Sequence, residues 1–288
     1  MITTFTQATS FRRTRARTDE ESFQTRMAFD AVAATYDTQN EALPGIRRIR
    51  EHTRRLYLQY FARGSRLLEL NCGTGNDAVF LAQHGMKILA TDLSPLMLEE
   101  VRKKTLLAGL AATIETREVS FERLGDLHGS SFEGVFSNMG GLNCTRELPQ
   151  IAADLAPLVK PGKYFVATVM PPFCLAETLV FLAGSRWPQA FRRTSGKNGS
   201  LAHLGEGVMR TFYHSPRAFA RAFAPHFEHV KTIGLLVLLP PPNFARAYST
   251  FLRRAKFLKK LDESVSKLPF FRSIGDHYIM VLRRKSNS

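Results

Sequence analysis

Short apolar runs alternate with helical patterns through most of the chain. The runs lack the strict alternation of a half-exposed strand, and this is typical of strands buried on both faces of a parallel sheet. Ser94-Pro95 and Ser215-Pro216 supply the N-cap and first helical position for two of the intervening helices. The pattern therefore predicts an α/β domain whose strands fall in residues 67–70, 87–91, 113–119, 132–138, 164–169, 227–239 and 276–282.

A turn containing two glycines follows the first predicted strand. Gly73 and Gly75 can adopt positive φ and let a ligand approach the backbone closely. The helix that begins near Asp77 offers free N–H groups to an anionic part of that ligand. Asp92 ends the second strand, about 20 residues after the glycines, where a carboxylate accepts hydrogen bonds from ribose hydroxyls. These residues predict a site for an adenosine-type cofactor.

The same glycines also satisfy the loose dinucleotide fingerprint, as Gly73-x-Gly75-x-x-Ala78, so a nucleotide-linked oxidoreductase is one alternative. Three features oppose it. Glu69 lies inside the first strand, where dinucleotide enzymes normally keep an apolar residue. The turn comes only after about 65 residues of mostly helical chain, and no Tyr-x-x-x-Lys pair follows it to serve hydride chemistry.

The segment Glu69-Leu70-Asn71-Cys72-Gly73-Thr74-Gly75, followed by Asp92, resembles motif I and the acidic loop of class I S-adenosylmethionine (SAM)-dependent methyltransferases. The resemblance extends to residues 132–138, which look like the fourth strand of that family, and to residues 158–163, which look like the turn before its fifth. It implies a Rossmann-like, seven-stranded, mostly parallel sheet with helices on both faces, and SAM as the cofactor.

The resemblance also implies how the cofactor is held. Glu69 and the glycine turn would hold the methionine end, and Asp92 the ribose diol. Many relatives carry an acidic residue near Ser120 for the adenine amino group; here the side chain is a hydroxyl, with Phe121 available to the purine face. The implied cofactor-binding residues are Tyr36, Glu69, Asn71, Cys72, Gly73, Gly75, Asp92, Leu93, Ser120, Phe121, Asn138 and Met139.

The remaining segments are predicted to be additions to this core. Tyr36-Asp37 ends a helical pattern similar to the N-terminal lid of small-molecule methyltransferases, whose tyrosine lies over the cofactor; an aromatic side chain that simply covers the core is the alternative. The predicted divisions are a disordered basic tail (1–20), an N-terminal helical cap (21–62), the SAM-binding core (63–170), a substrate-lid insertion (171–206), and the C-terminal part of the core (207–288) with a helical insertion at 243–268.

Candidate acceptor residues lie after the fourth and fifth strands. His214 and His203 flank the predicted lid, and either is a candidate general base for a phenol of pKa about 10; a surface or capping role is the alternative. The candidate acceptor-binding residues are Asn143, Phe173, Trp187 and Tyr213, and the candidates for meeting an anion are Arg186, Arg192, Arg193 and Lys197.

Charge and cysteine content set the wider context. The formal net charge of +15 fits nucleic acid, an anionic membrane or anionic substrates, with an arginine-rich proteome as the plain alternative. The basic amphipathic pattern at 244–268 suits either peripheral membrane contact or the covering of a core or channel. No apolar run reaches the roughly 18 residues of a membrane span. Three well-separated cysteines indicate neither a metal site nor a disulfide framework, and favour a cytoplasmic location.

The sequence therefore predicts a SAM-dependent methyltransferase acting at O, N or C of a largely apolar small-molecule acceptor, such as an aromatic, polyketide, quinone or lipid metabolite. An RNA methyltransferase is the first alternative. The charge favours it, but Asn138-Met139-Gly140-Gly141 departs from the (Asn/Asp)-Pro-Pro-aromatic motif of base methylation. A non-catalytic SAM-binding scaffold or sensor is the second alternative.

Overall fold

The computed structural model describes residues 2–194, 196–244 and 256–286, with side chains for all of these except residues 2–16, 197, 243 and 256. The strands are β1 (Arg66–Glu69), β2 (Lys87–Asp92), β3 (Ile114–Glu118), β4 (Phe132–Ser137), β5 (Val159–Val169), β6 (Ser200–Leu204), β7 (Gly207–Thr211), β8 (Phe227–Leu235) and β9 (His277–Arg284). Seven of them form one sheet in the order β3-β2-β1-β4-β5-β9-β8. Only β9 runs against its neighbours in that sheet. The predicted seven-stranded, mostly parallel sheet is confirmed.

Helices cover both faces of this sheet. They are α1 (Ile2–Val32), α2 (Tyr36–Glu41), α3 (Pro44–Tyr60), α4 (Asn76–Gln83), α5 (Pro95–Leu107), α6 (Leu148–Leu155), α7 (Leu175–Ala183), α8 (Trp187–Ala190), α9 (Pro216–Phe223) and α10 (Lys256–Val265). Leu67 and Leu68 are consecutive in β1, are both fully buried, and belong to separate apolar clusters. Because successive strand residues point to opposite faces, the central sheet is buried on both sides.

The two predicted N-caps are present at α5 and α9. The Ser94 hydroxyl accepts a hydrogen bond from the Met97 N–H, and the Ser215 hydroxyl accepts one from the Ala218 N–H. Each serine is followed by a proline at the first helical position, where a missing N–H costs nothing. Local sequence therefore set the start of these helices correctly.

The N-terminal prediction requires a correction. A disordered tail is predicted over residues 1–20, but α1 begins at Ile2 and continues without interruption to Val32. Neither glycine nor proline occurs before Pro44, so no residue in this stretch interrupts a helix. The C-terminal part of α1 packs along β7 and reaches α5, and α1 therefore covers the carboxyl edge of the sheet.

The region after β5 contains more regular structure than the sequence predicts. Residues 171–206 include α7 and α8 and end in β6, which pairs with β7 in an antiparallel hairpin. Of the helical insertion expected at 243–268, residues 245–255 lie outside the described part of the chain, and α10 follows them. None of the described helices has both the length and the apolar character needed to cross a bilayer.

Candidate functional site

A cavity lies where the strands β1, β2 and β4 reach their carboxyl ends. Its volume is roughly 1040 Å³, including the space open to solvent at its mouth. Its walls come from the turns after these three strands, from the segment after β3, and from the side of α1 that carries Phe29. All of the predicted cofactor-binding residues except Gly75 line it. The position agrees with the rule that ligands of open α/β sheets bind beyond the carboxyl ends of the strands.

The turn after β1 depends on three residues with positive φ. Asn71, Gly73 and Gly75 have φ values of 62°, 52° and 77°. Gly75 does not face the cavity; it is the N-cap of α4, and a Cβ at this position would lie 2.9 Å from Val101 Cγ1. Glycine at 75 is therefore required by both backbone conformation and packing.

The Asn71 side chain joins this turn to the loop after β4. Its Nδ2 donates to the Asn138 carbonyl over 3.0 Å, and its Oδ1 accepts from Ser137 Oγ over 2.6 Å. A Cβ on Gly141 would lie only 2.1 Å from Asn71 Cγ, so glycine there makes room for the amide. Asn71 thus reaches across to β4, and both polar atoms of its side chain are engaged within the protein.

Asp92 closes the turn from the second strand. Its Oδ2 accepts from the Gly73 N–H over 2.8 Å and its Oδ1 from the Ser94 N–H over 2.9 Å. Burial raises the pKa of Asp92 to about 6, although the N–H groups of Ser94, Gly73 and Leu93 act in the opposite direction. A carboxylate oxygen has more than one acceptor site, so both oxygens can still accept a hydrogen bond from a ligand in the cavity.

Two buried polar atoms on the cavity wall lack partners among the residues that the structure describes. Glu69 Oε2 makes no hydrogen bond, and burial raises the pKa of this carboxyl well above its usual value. Arg50 Nε is also buried without a partner, and its Nη1 is 3.7 Å from Glu41 Oε1. Because unpaired buried polar groups are costly, these atoms fit a ligand that carries both an ammonium and a carboxylate group. The methionine portion of SAM carries both.

Arg50 is a site residue that sequence reasoning missed. Arg50 lines the cavity, and the neighbouring Arg54 reaches Asp77 at its edge. Arg54 donates to Asp77 Oδ1 over 2.8 Å and to the Asn76 carbonyl over 2.7 Å. The signal that could have found them is their spacing: Arg50, Arg54 and Tyr57 recur at helical spacing, and Tyr57 is fully buried against the sheet.

Asn138 is fixed by its neighbours. Its Nδ2 donates to Asp77 Oδ2 over 2.6 Å, and its Oδ1 accepts from the Met139 N–H over 2.8 Å. Its side chain therefore shapes the loop after β4, in which Met139 has a φ of 55° and borders the cavity. The groups of this loop that face the cavity are therefore mainly its backbone and the Met139 side chain.

The N-terminal segment is fastened to the glycine turn beside Tyr36. Asp37 accepts hydrogen bonds from Thr74 Oγ1 (2.6 Å), Asn76 Nδ2 (2.8 Å) and Lys104 Nζ (2.7 Å). This cluster holds the start of α2 against the turn, so that Tyr36 lies on the cavity wall. The arrangement is compatible with the lid role predicted for Tyr36.

The predicted general bases do not line the cavity. His203 is exposed in the β6–β7 hairpin, opposite Val208. His214 is partly buried, and its Nε2 hydrogen-bonds the Thr145 carbonyl over 2.9 Å. Burial lowers the pKa of His214, while hydrogen bonds to backbone groups of Thr145 and Leu142 oppose that shift. Neither histidine lines the cavity, so nothing in its geometry supports a role of either as the general base.

The predicted acceptor-binding residues also lie away from this cavity. Asn143 is completely buried and cross-links the chain, because its Oδ1 accepts from the Met170 N–H and its Nδ2 donates to the Met170 and Phe212 carbonyls. The Trp187 side chain is 63% exposed. Phe173 and Tyr213 are half-buried outside the cavity wall.

Two of the arginines predicted to meet an anion, Arg192 and Arg193, are paired within the protein. Arg192 Nε and Arg193 Nη2 both donate to the carboxylate of Glu177, over 2.9 Å and 2.7 Å. Glu177 is 1% exposed and Arg193 is 5% exposed, so the pairing is internal to the fold. Arg186 is exposed, whereas the Lys197 side chain lies outside the described residues.

Residues 67–162 match the family described as methyltransferase domain. The fold around these residues is that of SAM-dependent methyltransferases of known structure. A SAM-dependent methyltransferase from Mesorhizobium loti has a similar fold, with a TM-score of 0.53 at 16% identity over 82% of this chain and 98% of that structure.

Two curated relatives are similar over part of the core. A SAM-dependent Diels-Alderase from Talaromyces variabilis is 33% identical over 103 residues, which cover 35% of this chain and 35% of the relative. A ubiquinone biosynthesis O-methyltransferase from Nitrosococcus oceani is 32% identical over 107 residues, which cover 37% of this chain and 44% of the relative. The match thus spans less than half the length of either relative.

Proposed function

We propose that the chain transfers a methyl group from SAM to a small-molecule acceptor. The single observation that carries the proposal is the distribution of unsatisfied polar groups around the cavity. Glu69 and Arg50 offer charge to the ammonium and carboxylate of the methionine portion. Asp92 offers acceptors to the ribose hydroxyls. Ser120 and Phe121 would contact the adenine.

SAM supplies a methyl group that is already activated by the positive sulfur. The chain's part is therefore to align the acceptor and to keep water away from the reacting atoms. Tyr36 and Phe29 would cover the cofactor from the N-terminal side, because both line the cavity and both belong to the segment fastened by Asp37 and Asp30. Asn71 and Asn138 would hold the loop after β4 in the conformation that the acceptor meets.

The acceptor class is proposed to be aromatic, quinone-like or another largely apolar metabolite. The similarity to a ubiquinone biosynthesis O-methyltransferase supports this class. A second candidate function is a cyclisation that needs bound SAM without consuming it. It is favoured by the similarity to a SAM-dependent Diels-Alderase, and it would use the same cofactor site.

Formation of S-adenosylhomocysteine (SAH) separates the two functions. The purified protein would be incubated with SAM and each member of a panel of phenols, quinols and enolisable polyketides, and SAH and methylated products would be measured by mass spectrometry. Acceptor-dependent SAH formation is expected, with the product heavier by one methylene. Tight SAM binding with no SAH formed from any panel member would contradict methyl transfer and favour cyclisation.

SAH affinity is expected to fall about tenfold between about pH 7.5 and about pH 5. The ribose hydroxyls donate to the ionised form of Asp92, whose pKa of about 6 in the free protein means that acid protonates it in this range. Binding should therefore be strongest above that pKa and weaken as the pH falls through it.

Calorimetry across this pH range is the measurement for that prediction. The Asp92→Asn variant is the matched control, because it keeps the shape of the side chain and removes its titration, while Glu69 is left unchanged. Its weaker affinity should vary much less with pH. A wild-type affinity that stays constant between the two pH values would contradict the assignment of Asp92.

A further inference from the structure

A second group of charged side chains lies buried at the start of β9, beneath α7. Arg193 Nη2 donates to Glu177 Oε2 over 2.7 Å and to Asp276 Oδ1 over 2.6 Å. Arg193 Nη1 also donates to the Asp276 carbonyl over 2.9 Å. Glu177, Arg193 and Asp276 are each 5% exposed or less. The carboxylates are paired, so the cluster as a whole is stable in its buried position.

His277 is attached to this cluster through one ring nitrogen only. Its Nδ1 is 2.9 Å from Asp276 Oδ2. Burial acts to raise the pKa of Asp276, but the charges and hydrogen bonds of His277 and Arg193 hold it well below its usual value. An ionised Asp276 can only accept, so Nδ1 carries a hydrogen; in the neutral form of the ring, Nε2 then carries the lone pair.

The free nitrogen lies on the same edge of the sheet as the cavity. Tyr278 pairs with Val169, so His277 is next to the carboxyl end of β5. His277 Nε2 is 3.5 Å from the point that a Cβ on Gly140 would occupy. Gly140 stands between Met139 and Gly141, which both line the cavity, whereas His277 lies behind this wall and does not itself line it. Among the described residues Nε2 has no hydrogen-bond partner, and it is not completely sealed from solvent.

We propose that His277, oriented by Asp276, accepts the proton of an acceptor hydroxyl, and that the acceptor is therefore a phenol, quinol or enol. This inference rests on the proposed methyl transfer and names the acceptor group for it. The acceptor O–H proton passes to Nε2 while the oxygen forms its bond to the methyl carbon; the electron pair of the broken C–S bond remains on sulfur. The products are a methyl ether, SAH and a protonated His277, which returns its proton to water.

Charged groups surround His277. Asp276 is its direct partner, and Arg193 is paired with the same carboxylate. Glu177 is paired with both Arg192 and Arg193 in this cluster. The ring must be neutral to accept a proton from the acceptor.

The test uses 4-nitrophenol as the acceptor probe, in the presence of saturating SAH and at a pH below the probe's own pKa. Proton transfer to His277 gives the bound probe the absorption band of the phenolate. In wild-type protein the band is expected to appear saturably as the probe is added. In His277→Gln the phenolate fraction of the bound probe should fall at least tenfold, while SAH affinity, measured by calorimetry, should stay within about twofold.

His203→Gln is the matched control, because it removes an exposed histidine and should leave the band unchanged. If His277→Gln does not fold, ¹⁵N NMR of the wild-type imidazoles decides: the proposal requires hydrogen on Nδ1 and a lone pair on Nε2 of His277. The opposite tautomer, an unchanged band in His277→Gln, or failure of the probe to bind wild-type protein that binds SAH would each overturn the inference and leave the proposed function standing. Failure of SAH itself to bind would overturn both.

Discussion

Replacement of Asp92 by alanine is expected to weaken SAH binding about 100-fold, because two hydrogen bonds to a charged group contribute roughly 3 kcal/mol together. No other described carboxylate occupies the tip of β2, so the ribose hydroxyls would lose both acceptors. The Gly73 and Ser94 N–H groups would also lose their partner, and part of the loss would come from a less rigid turn.

Calorimetric titration with SAH measures this loss, and circular dichroism checks that the variant is folded. Asp92→Asn separates the two contributions, because it retains one acceptor for the turn and removes the charge. Asp126→Ala is the surface control, since its side chain is 41% exposed and pairs only with Arg123 among the described residues. Unchanged SAH affinity in folded Asp92→Ala would remove Asp92 from the binding site.

Replacement of Arg193 by methionine is expected to lower the free energy of unfolding by about 3–5 kcal/mol. It would leave Asp276 with only His277 as a charge partner and would deprive Glu177 of one of its two guanidinium partners, although both carboxylates remain buried. Arg192→Met is the matched control. It removes the other partner of Glu177, but its side chain is 38% exposed, so a loss of about 1 kcal/mol or less is expected.

Urea unfolding monitored by fluorescence would give the free energy of unfolding of both variants. The pH dependence of that free energy provides a second test. The pKa of Glu177 is lowered in the native protein, because the hydrogen bonds and charges of Arg192 and Arg193 outweigh burial. This pairing stabilises the fold above the unfolded-state pKa and is lost as the pH falls through the folded-state pKa. The difference in free energy of unfolding between wild type and Arg193→Met should therefore become smaller at acidic pH. Equal, small effects of the two substitutions at neutral pH would contradict a buried role for Arg193.

The sequence predicted the features that depend on neighbouring residues. Gly73, Gly75 and Asp92 are placed by the strands that immediately precede them, and parallel strands bring their carboxyl ends to one edge of the sheet. The strand assignments alone were therefore enough to predict that these residues lie close together at the cavity. Ser94 and Ser215 became helix caps for a similarly local reason.

Features that depend on distant contacts were missed or assigned wrongly. Arg50 becomes a wall of the cavity only because of the way α3 lies against the sheet, and helical spacing alone does not distinguish it from a solvated arginine. His277 lies opposite Gly140 because β9 inserts between β5 and β8, which no local pattern specifies. The residue type and position of Asn143 suggested a site residue, but its side chain joins three segments of the chain.

The central claim is that the cavity between β1, β2 and β4 binds a sulfonium nucleoside or its demethylated product. Isothermal titration of the wild-type protein with SAH, and separately with NADH, tests it most directly. We predict saturable binding of SAH at one site per chain and no binding of NADH under the same conditions. Binding of NADH without any binding of SAH would contradict the claim.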